Sequence, residues 1–445
     1  MNTLLPTFVK LTDKPCLVVG AGKIALQKVQ QLLDARANIT VIATHHIDEF
    51  LVFQNEQKIS LLSRAYEFGD SKDFFLVISA TNDHELNKSI YEEVNSNQLL
   101  INVVDCPALC NFYFGSVYQN GDIKIAVSTN GQCPSLAKYI RDSLAKTYSF
   151  LENILPNLVL KRKKVHTDYE GYDERKGLMQ EAVHDALDEA LLQKHHFLKG
   201  SVILVGAGPG HEDLITVRGQ TAISLAVVIL YDALVNPILL QHAKPQAVIV
   251  YAGKRPDKCN PYKQTEINQL LIDYAKQGNL VVRLKGGDPF IFGRGSEELQ
   301  ALAHENIPYQ VVPGVSAALG AAAFSGIPLT HRDYNSSFAV ITGHLACEKP
   351  VDWTALWQAH KMLVVYMGVK ALPKIVSQLI NAACPFTTPV AIIENASMPQ
   401  QRVLISALKD VVSQAQEQHF TSPSIILIGQ NVSLHATLYP HYYFK

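Results

Sequence analysis

The sequence predicts an α/β protein in two halves, and three stretches carry that expectation. Cys16-Leu17-Val18-Val19 runs into Gly20-Ala21-Gly22-Lys23-Ile24-Ala25, and Val202-Ile203-Leu204-Val205 runs into Gly206-Ala207-Gly208-Pro209-Gly210. Leu280-Val281-Val282-Arg283-Leu284 runs into the string Lys285-Gly286-Gly287-Asp288-Pro289-Phe290-Ile291-Phe292-Gly293-Arg294-Gly295. Each opens with the short apolar, β-branched texture of a buried strand and passes through a glycine-dense loop toward helical spacing. Strand, glycine loop and helix in that order turn exposed backbone N–H groups toward a small ligand at the strand's carboxyl end.

The chain's 445 residues suggest two or three domains, and 48% hydrophobic with 18% charged residues fits an ordinary globular protein. No run approaches the roughly 18 consecutive apolar residues that span a bilayer, and residues 1–10 lack the zones of a signal peptide. Cytoplasmic residence and no membrane partner are therefore expected. Seven scattered cysteines without a Cys-x-x-Cys pair argue against a disulfide framework and a structural zinc site. Lys+Arg 39 against Asp+Glu 40 gives a net charge of −1, so an anionic partner must be met by a local patch.

In the first half, Gly20-Ala21-Gly22-Lys23-Ile24-Ala25 has the G-x-G-x-x-A form of a dinucleotide fingerprint. Gly20 makes the turn, Gly22 lets backbone approach a pyrophosphate, and Ala25 permits close helix–strand packing. Ile39–Ala43 supplies the second strand, and Thr44-His45-His46 stands where an acid often binds a ribose hydroxyl. Strands at Phe74–Ala80 and Leu99–Val104 continue a parallel, doubly wound pattern. Asp105 leaves the last strand at the edge where such sheets bind ligands. Phe112–Tyr118 and Ile123–Ser128 then read as a hairpin across Gln119-Asn120-Gly121-Asp122, an addition that suits pairing between subunits.

Residues 145–200 are rich in Lys, Glu, Asp, Gln and His and read as a helical bridge. Lys161-Arg162-Lys163-Lys164 is a solvated helix face rather than a nucleic-acid site, because no aromatics interleave with it. His45-His46 and His195-His196 read as surface pairs, and no metal cage is expected. In Gly206–Gly210 the proline removes an N–H that a pyrophosphate loop would use, so this loop suits a different ligand. Strands ending at Asp232, at Gly253-Lys254-Arg255, at the 285–295 string and at Pro313-Gly314-Val315-Ser316 should gather their loops at one sheet edge. Strands at Phe338–Thr342, Met362–Tyr366, Val390–Glu394 and Ser424–Ile428 form a second lobe, running into Met367-Gly368 and Asn395-Ala396. The domain reading is 1–113 for the nucleotide fold, 114–150 for the hairpin and its helix, 151–200 for the bridge and 201–445 for two lobes meeting near 330.

These residues also carry a resemblance that covers nearly the whole chain. The GAGPG loop, GKR (253–255), KGGDPFIFGRG (285–295), VVPGVSAALG (311–320), SGIPLTHRDY (325–334), TGH (342–344) and YMG (366–368) resemble uroporphyrinogen III C-methyltransferase. The N-terminal part resembles precorrin-2 dehydrogenase/sirohydrochlorin ferrochelatase, and the fusion resembles the trifunctional siroheme synthases. The resemblance implies an N-terminal Rossmann-like domain with a dimerisation hairpin, a C-terminal two-lobed tetrapyrrole methyltransferase, and a homodimer. Its substrates would be uroporphyrinogen III, precorrin-2 and sirohydrochlorin, with S-adenosyl-L-methionine and NAD as cofactors and ferrous iron as a substrate.

By motif, the resemblance implies that Pro209, Gly286, Gly287, Asp288, Ile291, Ser316, Ala317, Met367 and Ala396 hold S-adenosylmethionine. It makes Asp232 the proton acceptor and Lys254 the proton donor of methyl transfer. Lys23, Ile24, Thr44 and His45 join Gly20 and Gly22 as NAD positions, and Asp105 serves both dehydrogenation and chelation. Ala396 stands where many relatives have glycine, and Asn130-Gly131-Gln132-Cys133 departs from their glycine-rich string. The chemistry suits the residues: methyl transfer is an in-line displacement governed by positioning, and Asp232 could take the proton that the methylated carbon loses. Arg255, Arg294 and Arg332 are candidate clamps for substrate carboxylates. Two other readings remain open at this stage: cobalt insertion toward cobalamin, and a tetrapyrrole sensor without turnover.

Overall fold

A computed structural model gives the fold and describes residues 4–130, 132–253, 263–343 and 351–441. The chain divides into two compact units, Met1–Ala182 and Val183–Lys445. The division falls inside helix Tyr172–His195, within the stretch read as a bridge.

The first unit opens with β1 (Pro15–Ala21), α1 (Lys23–Asp34), β2 (Asn38–His46), α2 (Asp48–Asn55), β3 (Ser60–Leu62), β4 (Leu76–Ser79), α3 (His84–Ser96) and β5 (Leu100–Val103). The strands are all parallel, in the order β3-β2-β1-β4-β5. That is a doubly wound sheet whose order reverses at β1 and β4. Both faces are covered, which is why Leu17, Val18, Val77 and Ile78 form continuous apolar runs and are fully buried. Helix α1 lays Ala25, Val29 and Leu32 on the sheet, an i, i+4, i+7 stripe.

Three details differ from the sequence reading. Strand β2 continues past Ala43 to His46, because a register shift after Val19 brings Ala21 opposite His46. Strand β3 has three residues with only Leu61 buried, too short to leave a periodic signal. The hairpin's first arm, β6 (Ser116–Asn120), starts after Phe112 and Phe114, which turn back onto the sheet's core. Its partner β7 (Ile123–Val127) is antiparallel, and Gly121 supplies the left-handed conformation of the two-residue turn at φ +56°. Helices α4 (Pro134–Thr147), α5 (Leu155–Asp168) and α6 (Tyr172–His195) follow.

The second unit contains two sheets. The first is built from β8 (Val202–Gly206), α7 (Val217–Leu225), β9 (Val228–Tyr231), β10 (Val248–Tyr251), α8 (Gln264–Lys276), β11 (Val281–Lys285), α9 (Gly295–His304), β12 (Tyr309–Val312) and α10 (Ala317–Phe324). It is fully parallel, in the order β10-β9-β11-β8-β12. Each buried Val, Leu or Ile of β8, an interior strand between β11 and β12, contributes about 1.5–3 kcal/mol through burial. The second sheet uses β13 (Ala339–Thr342), α11 (Trp353–Ala359), β14 (Met362–Tyr366), α12 (Leu372–Asn381), β15 (Pro389–Glu394), β16 (Arg402–Ala407), α13 (Val411–Glu417), β17 (Ser424–Gly429) and α14 (His435–Leu438). Its order is β13-β14-β17-β15-β16, with β17 antiparallel to both neighbours and β16 antiparallel to β15. Strand β16 had no counterpart in the sequence reading. It is an edge strand with a single fully buried residue, Leu404. No helix among the described residues is long and apolar enough to cross a membrane.

Candidate functional site

In the first unit the candidate residues collect at the carboxyl edge of the parallel sheet. Gly20 has φ +104°, and a Cβ there would stand 2.5 Å from the Ala80 carbonyl oxygen. Only glycine fits that crossing of β1 over the end of β4. Gly22 is different: a Cβ on it would meet nothing within 4 Å. It precedes α1, whose first turn has no side-chain cap and no acidic residue. The first N–H groups of α1 and the helix's positive end are therefore left to an anion. Lys23 and Ile24 are exposed beside them.

The extension of β2 places Thr44, His45 and His46 alongside Ala21. The His45 Nδ1 lies 3.1 Å from the Thr44 hydroxyl, and both side chains are exposed. His46 differs from the surface residue expected, since its Nδ1 is buried without a hydrogen-bond partner. Asp105 follows β5 in a turn, exposed and left-handed at φ +57°. Asp tolerates that conformation better than most residues, but it still carries strain of the sort that clusters at functional sites.

In the second unit the loops after β8, β9, β11 and β12 meet one another and the loops of the second sheet. Gly208 and Gly287 exchange backbone hydrogen bonds of 3.2 and 2.7 Å, and a Cβ at Gly206 would stand 2.5 Å from the Gly314 nitrogen. Asp288 bridges two loops: Oδ1 accepts from Phe290 N–H at 2.9 Å and Oδ2 from Gly314 N–H at 3.0 Å. Pro209 packs under α10, where a Cβ on Gly320 would come within 2.5 Å of its ring. Ser316 caps α10, and the Tyr366 hydroxyl accepts the Ala318 N–H at 2.8 Å. Burial raises the pKa of that phenol, which keeps it neutral and available as a donor.

From the other sheet, the Ser397 hydroxyl accepts the His211 N–H at 3.0 Å, next to the buried Ala396. Gly286 approaches Leu234, and Phe292 packs against Tyr366 with centroids 5.1 Å apart. Phe292, Arg294, Met367, Asn395 and Ser397 all have left-handed backbones. Leu234, Phe290, Ile291, Phe292, Leu319 and Met367 are exposed apolar side chains on these same segments. Strained loops presenting apolar side chains around backbone donors suit a flat, partly apolar ligand.

Beneath these loops lies a charge network that the sequence reading missed. Arg283 Nε lies 3.0 Å from Glu298 Oε1, and the Lys285 ammonium lies 3.0 Å from both Glu298 oxygens. The three side chains are 4%, 5% and 0% exposed. Arg283 also reaches Asp232, at 3.6 Å. Asp232 follows β9, is half-buried, and accepts the Leu234 N–H at 3.1 Å. The Lys285 pKa is lowered by burial first and by Arg283 second, against the pull of Glu298. Lys285 is thus a buried structural cation, while Asp232 stays open to a ligand. Gly253 packs against Ala233, where a Cβ would meet the backbone nitrogen at 2.6 Å. Lys254 and Arg255 lie outside the described residues. Arg294 is exposed beside Glu297 at 4.0 Å, and Arg332 is exposed. No group of three or more His, Cys, Asp or Glu side chains able to hold a metal occurs among the described residues.

The two sites define a class: a tetrapyrrole methylase joined to an NAD(P)-binding domain. The family model for tetrapyrrole (corrin/porphyrin) methylases matches residues 201–412, and the one for putative NAD(P)-binding domains matches 7–116. A third, for the central part of sirohaem biosynthesis proteins, matches 120–147. The siroheme synthase of Actinobacillus pleuropneumoniae serotype 7 is 39% identical, covering 98% of this chain and 92% of its own length. That of Methylococcus capsulatus is 38% identical over 98% of this chain and 96% of its own. A solved uroporphyrin-III C-methyltransferase from Thermus thermophilus, complexed with S-adenosyl homocysteine, is 37% identical with a TM-score of 0.46, covering 53% of this chain and 99% of that one. The chain belongs to the siroheme synthase family.

Proposed function

We propose that the chain converts uroporphyrinogen III to siroheme. Its second unit methylates the macrocycle twice to precorrin-2, and its first unit oxidises precorrin-2 to sirohydrochlorin and inserts ferrous iron. The observation that carries this reading is end-to-end similarity to siroheme synthases, over 98% of the chain.

S-adenosylmethionine supplies an electrophilic methyl group, and the residues present fit it. The backbones around Gly286, Gly287, Ser316 and Ala317 give donors and close approach, while Pro209, Ile291, Met367 and Ala396 give apolar walls. Asp288 acts by holding the loop at 288–290 to the loop at 314. With the cofactor fixed, positioning supplies much of the acceleration. Asp232 takes the proton lost from the methylated carbon, and Arg283 lies beneath it, 3.6 Å from the carboxylate. Lys254 is the proposed proton donor.

NAD supplies a hydride acceptor, and the first unit fits a dinucleotide through the open approach at Gly22 and the uncapped α1. Lys23, Ile24, Thr44 and His45 frame that approach. Asp105 takes the proton that leaves the macrocycle during oxidation and the N–H protons that leave on metal insertion. The hairpin β6–β7 is the proposed contact between two copies, its outward positions alternating with half-buried ones along both strands.

The test is to incubate the full chain with uroporphyrinogen III, S-adenosylmethionine and NAD, adding ferrous iron or cobalt in parallel, and to follow products by absorption. Successive precorrin-2, sirohydrochlorin and siroheme spectra are expected. Absence of methylated product, or arrest at sirohydrochlorin with iron while cobalt is inserted, overturns the reading. Light scattering that returns a monomer overturns the dimer.

A further inference from the structure

We propose that Tyr366 is a positioning residue for S-adenosylmethionine: its hydroxyl pins the first turn of α10 and its ring backs the loop at 285–295, so that both meet the cofactor in a fixed place. The inference rests on the reading of this cleft as the S-adenosylmethionine site, and it assigns a task to the first residue of the Tyr366-Met367-Gly368 string.

Tyr366 is the last residue of β14, an interior strand between β13 and β17. It pairs with Thr342 on one side and Ile425 on the other, and its carbonyl accepts the Gly343 N–H at 2.7 Å. The backbone that carries the side chain is therefore held along both edges. Met367 then turns left-handed at φ +54° and is exposed, whereas the half-buried Tyr366 side chain reaches α10.

The first N–H groups of a helix have no partner within it. In α10 the Ser316 hydroxyl accepts the Leu319 N–H at 3.4 Å, and the Tyr366 hydroxyl accepts the Ala318 N–H at 2.8 Å. The shorter of the two bonds thus comes from a strand of the other sheet. The Ala317 N–H has no partner among the described residues, and a Cβ on Gly287 would stand 3.5 Å from its nitrogen. Once Tyr366 and Ser316 are engaged, Ala317 is the donor of this turn left to a ligand beside the glycine loop. A tyrosine side chain has little torsional freedom, so the bond also sets where α10 starts relative to Met367.

The ring does the second part. Its centroid lies 5.1 Å from that of Phe292, which holds a left-handed backbone at φ +53°. That conformation is unfavourable for a bulky residue, and packing on Tyr366 offsets part of its cost. Phe292 belongs to the same loop as Gly286, Gly287 and Asp288. One side chain therefore joins the three segments that supply the cofactor's contacts, and an in-line methyl transfer tolerates little misplacement among them.

The test uses the full chain, with S-adenosylmethionine and S-adenosylhomocysteine binding measured by calorimetry and methylation followed by absorption. Tyr366→Phe removes only the hydroxyl and should raise the Kd of both ligands, and the KM for S-adenosylmethionine, by about tenfold. The KM for uroporphyrinogen III should change by less than about twofold. Tyr366→Leu removes the ring as well and should lose more. Unchanged NAD affinity and unchanged emission from Trp353 and Trp357 report that both units are folded. Ser325→Ala is the control for helix stability, since its buried hydroxyl donates to the Ala321 carbonyl at 2.6 Å at the far end of α10. It should leave both Kd values within about twofold.

Wild-type Kd values in Tyr366→Phe overturn the inference, as does a change confined to the KM for uroporphyrinogen III. So does an equal loss in Ser325→Ala, which would make the effect one of helix stability alone. If Asp288→Ala binds S-adenosylmethionine with wild-type affinity, the reading of the cleft falls and takes this inference with it. Loss in Asp288→Ala with wild-type affinity in Tyr366→Phe rejects the inference alone.

Discussion

Removing Glu298 tests whether the charge network under the methyltransferase loops is structural. Its carboxylate is the counter-ion of Arg283 and Lys285, both about 3.0 Å away and nearly inaccessible to solvent. At an effective dielectric of about 20, each contact at that distance corresponds to roughly 5 kcal/mol of attraction, most of which offsets desolvation. Glu298→Ala deletes the attraction and leaves the desolvation, with Asp232 at 3.6 Å from Arg283 as the remaining acid. The expected loss is about 3–5 kcal/mol, the usual cost of orphaning a buried charge. Glu298→Ala combined with Lys285→Met should recover part of it, because one of the stranded cations is gone. Both tryptophans, Trp353 and Trp357, lie in the second unit and are buried, so urea denaturation followed by tryptophan fluorescence reads this unit alone. A loss below about 1 kcal/mol at unchanged slope would refute the reasoning and place the network among surface-like ion pairs.

Other outcomes follow from single contacts. Gly22→Ala should leave the stability of the first unit within about 0.5 kcal/mol and raise the KM for NAD, since its new Cβ meets only the space left to the cofactor. Gly20→Ala should instead cost about 2 kcal/mol or more, because φ +104° and the Ala80 oxygen at 2.5 Å both oppose a side chain; thermal melts of the two variants separate the cases. Asp288→Ala frees the Phe290 and Gly314 N–H groups and should abolish S-adenosylmethionine binding by calorimetry while leaving NAD affinity unchanged. Tyr66, whose hydroxyl donates to Glu93 at 3.0 Å, has its pKa pushed up to about 12, chiefly by burial. The native state keeps a proton there that the unfolded chain releases above about pH 10, so the first unit should lose stability as pH rises from about 10 to about 12. Tyr66→Phe should flatten that part of the profile in a circular-dichroism titration.

Much of the site was legible because its signals are local. A glycine that must be left-handed, as at Gly20, Gly208 and Gly287, or pressed against another backbone, as at Gly206 and Gly314, leaves its mark within a few residues of a strand. The loop at 285–295 could be read as ligand-facing, and Asp232 and Asp105 could be placed at strand ends. Lys285 illustrates the limit. In sequence it is the first residue of the glycine loop, yet it is the last residue of β11, paired with Gly206 and buried on Glu298. In sequence Arg283 reads only as part of the apolar strand Leu280–Leu284, whereas it is the link between Glu298 and Asp232.

Apart from β3 and β16, the sequence by itself determined the succession of strands, glycine loops and helices, the parallel character of the two leading sheets and the chemistry offered at their carboxyl ends. Those properties depend on periodicity, backbone sterics and residue type over short spans. Tertiary structure alone decided which distant residues share a charge or a surface. It set Lys28 against Phe114, put Arg283, Lys285 and Glu298 in one buried cluster, and reversed β17 between β14 and β15. Electrostatic pairing and strand direction follow distance in space, and alternation along a single segment carries no record of either.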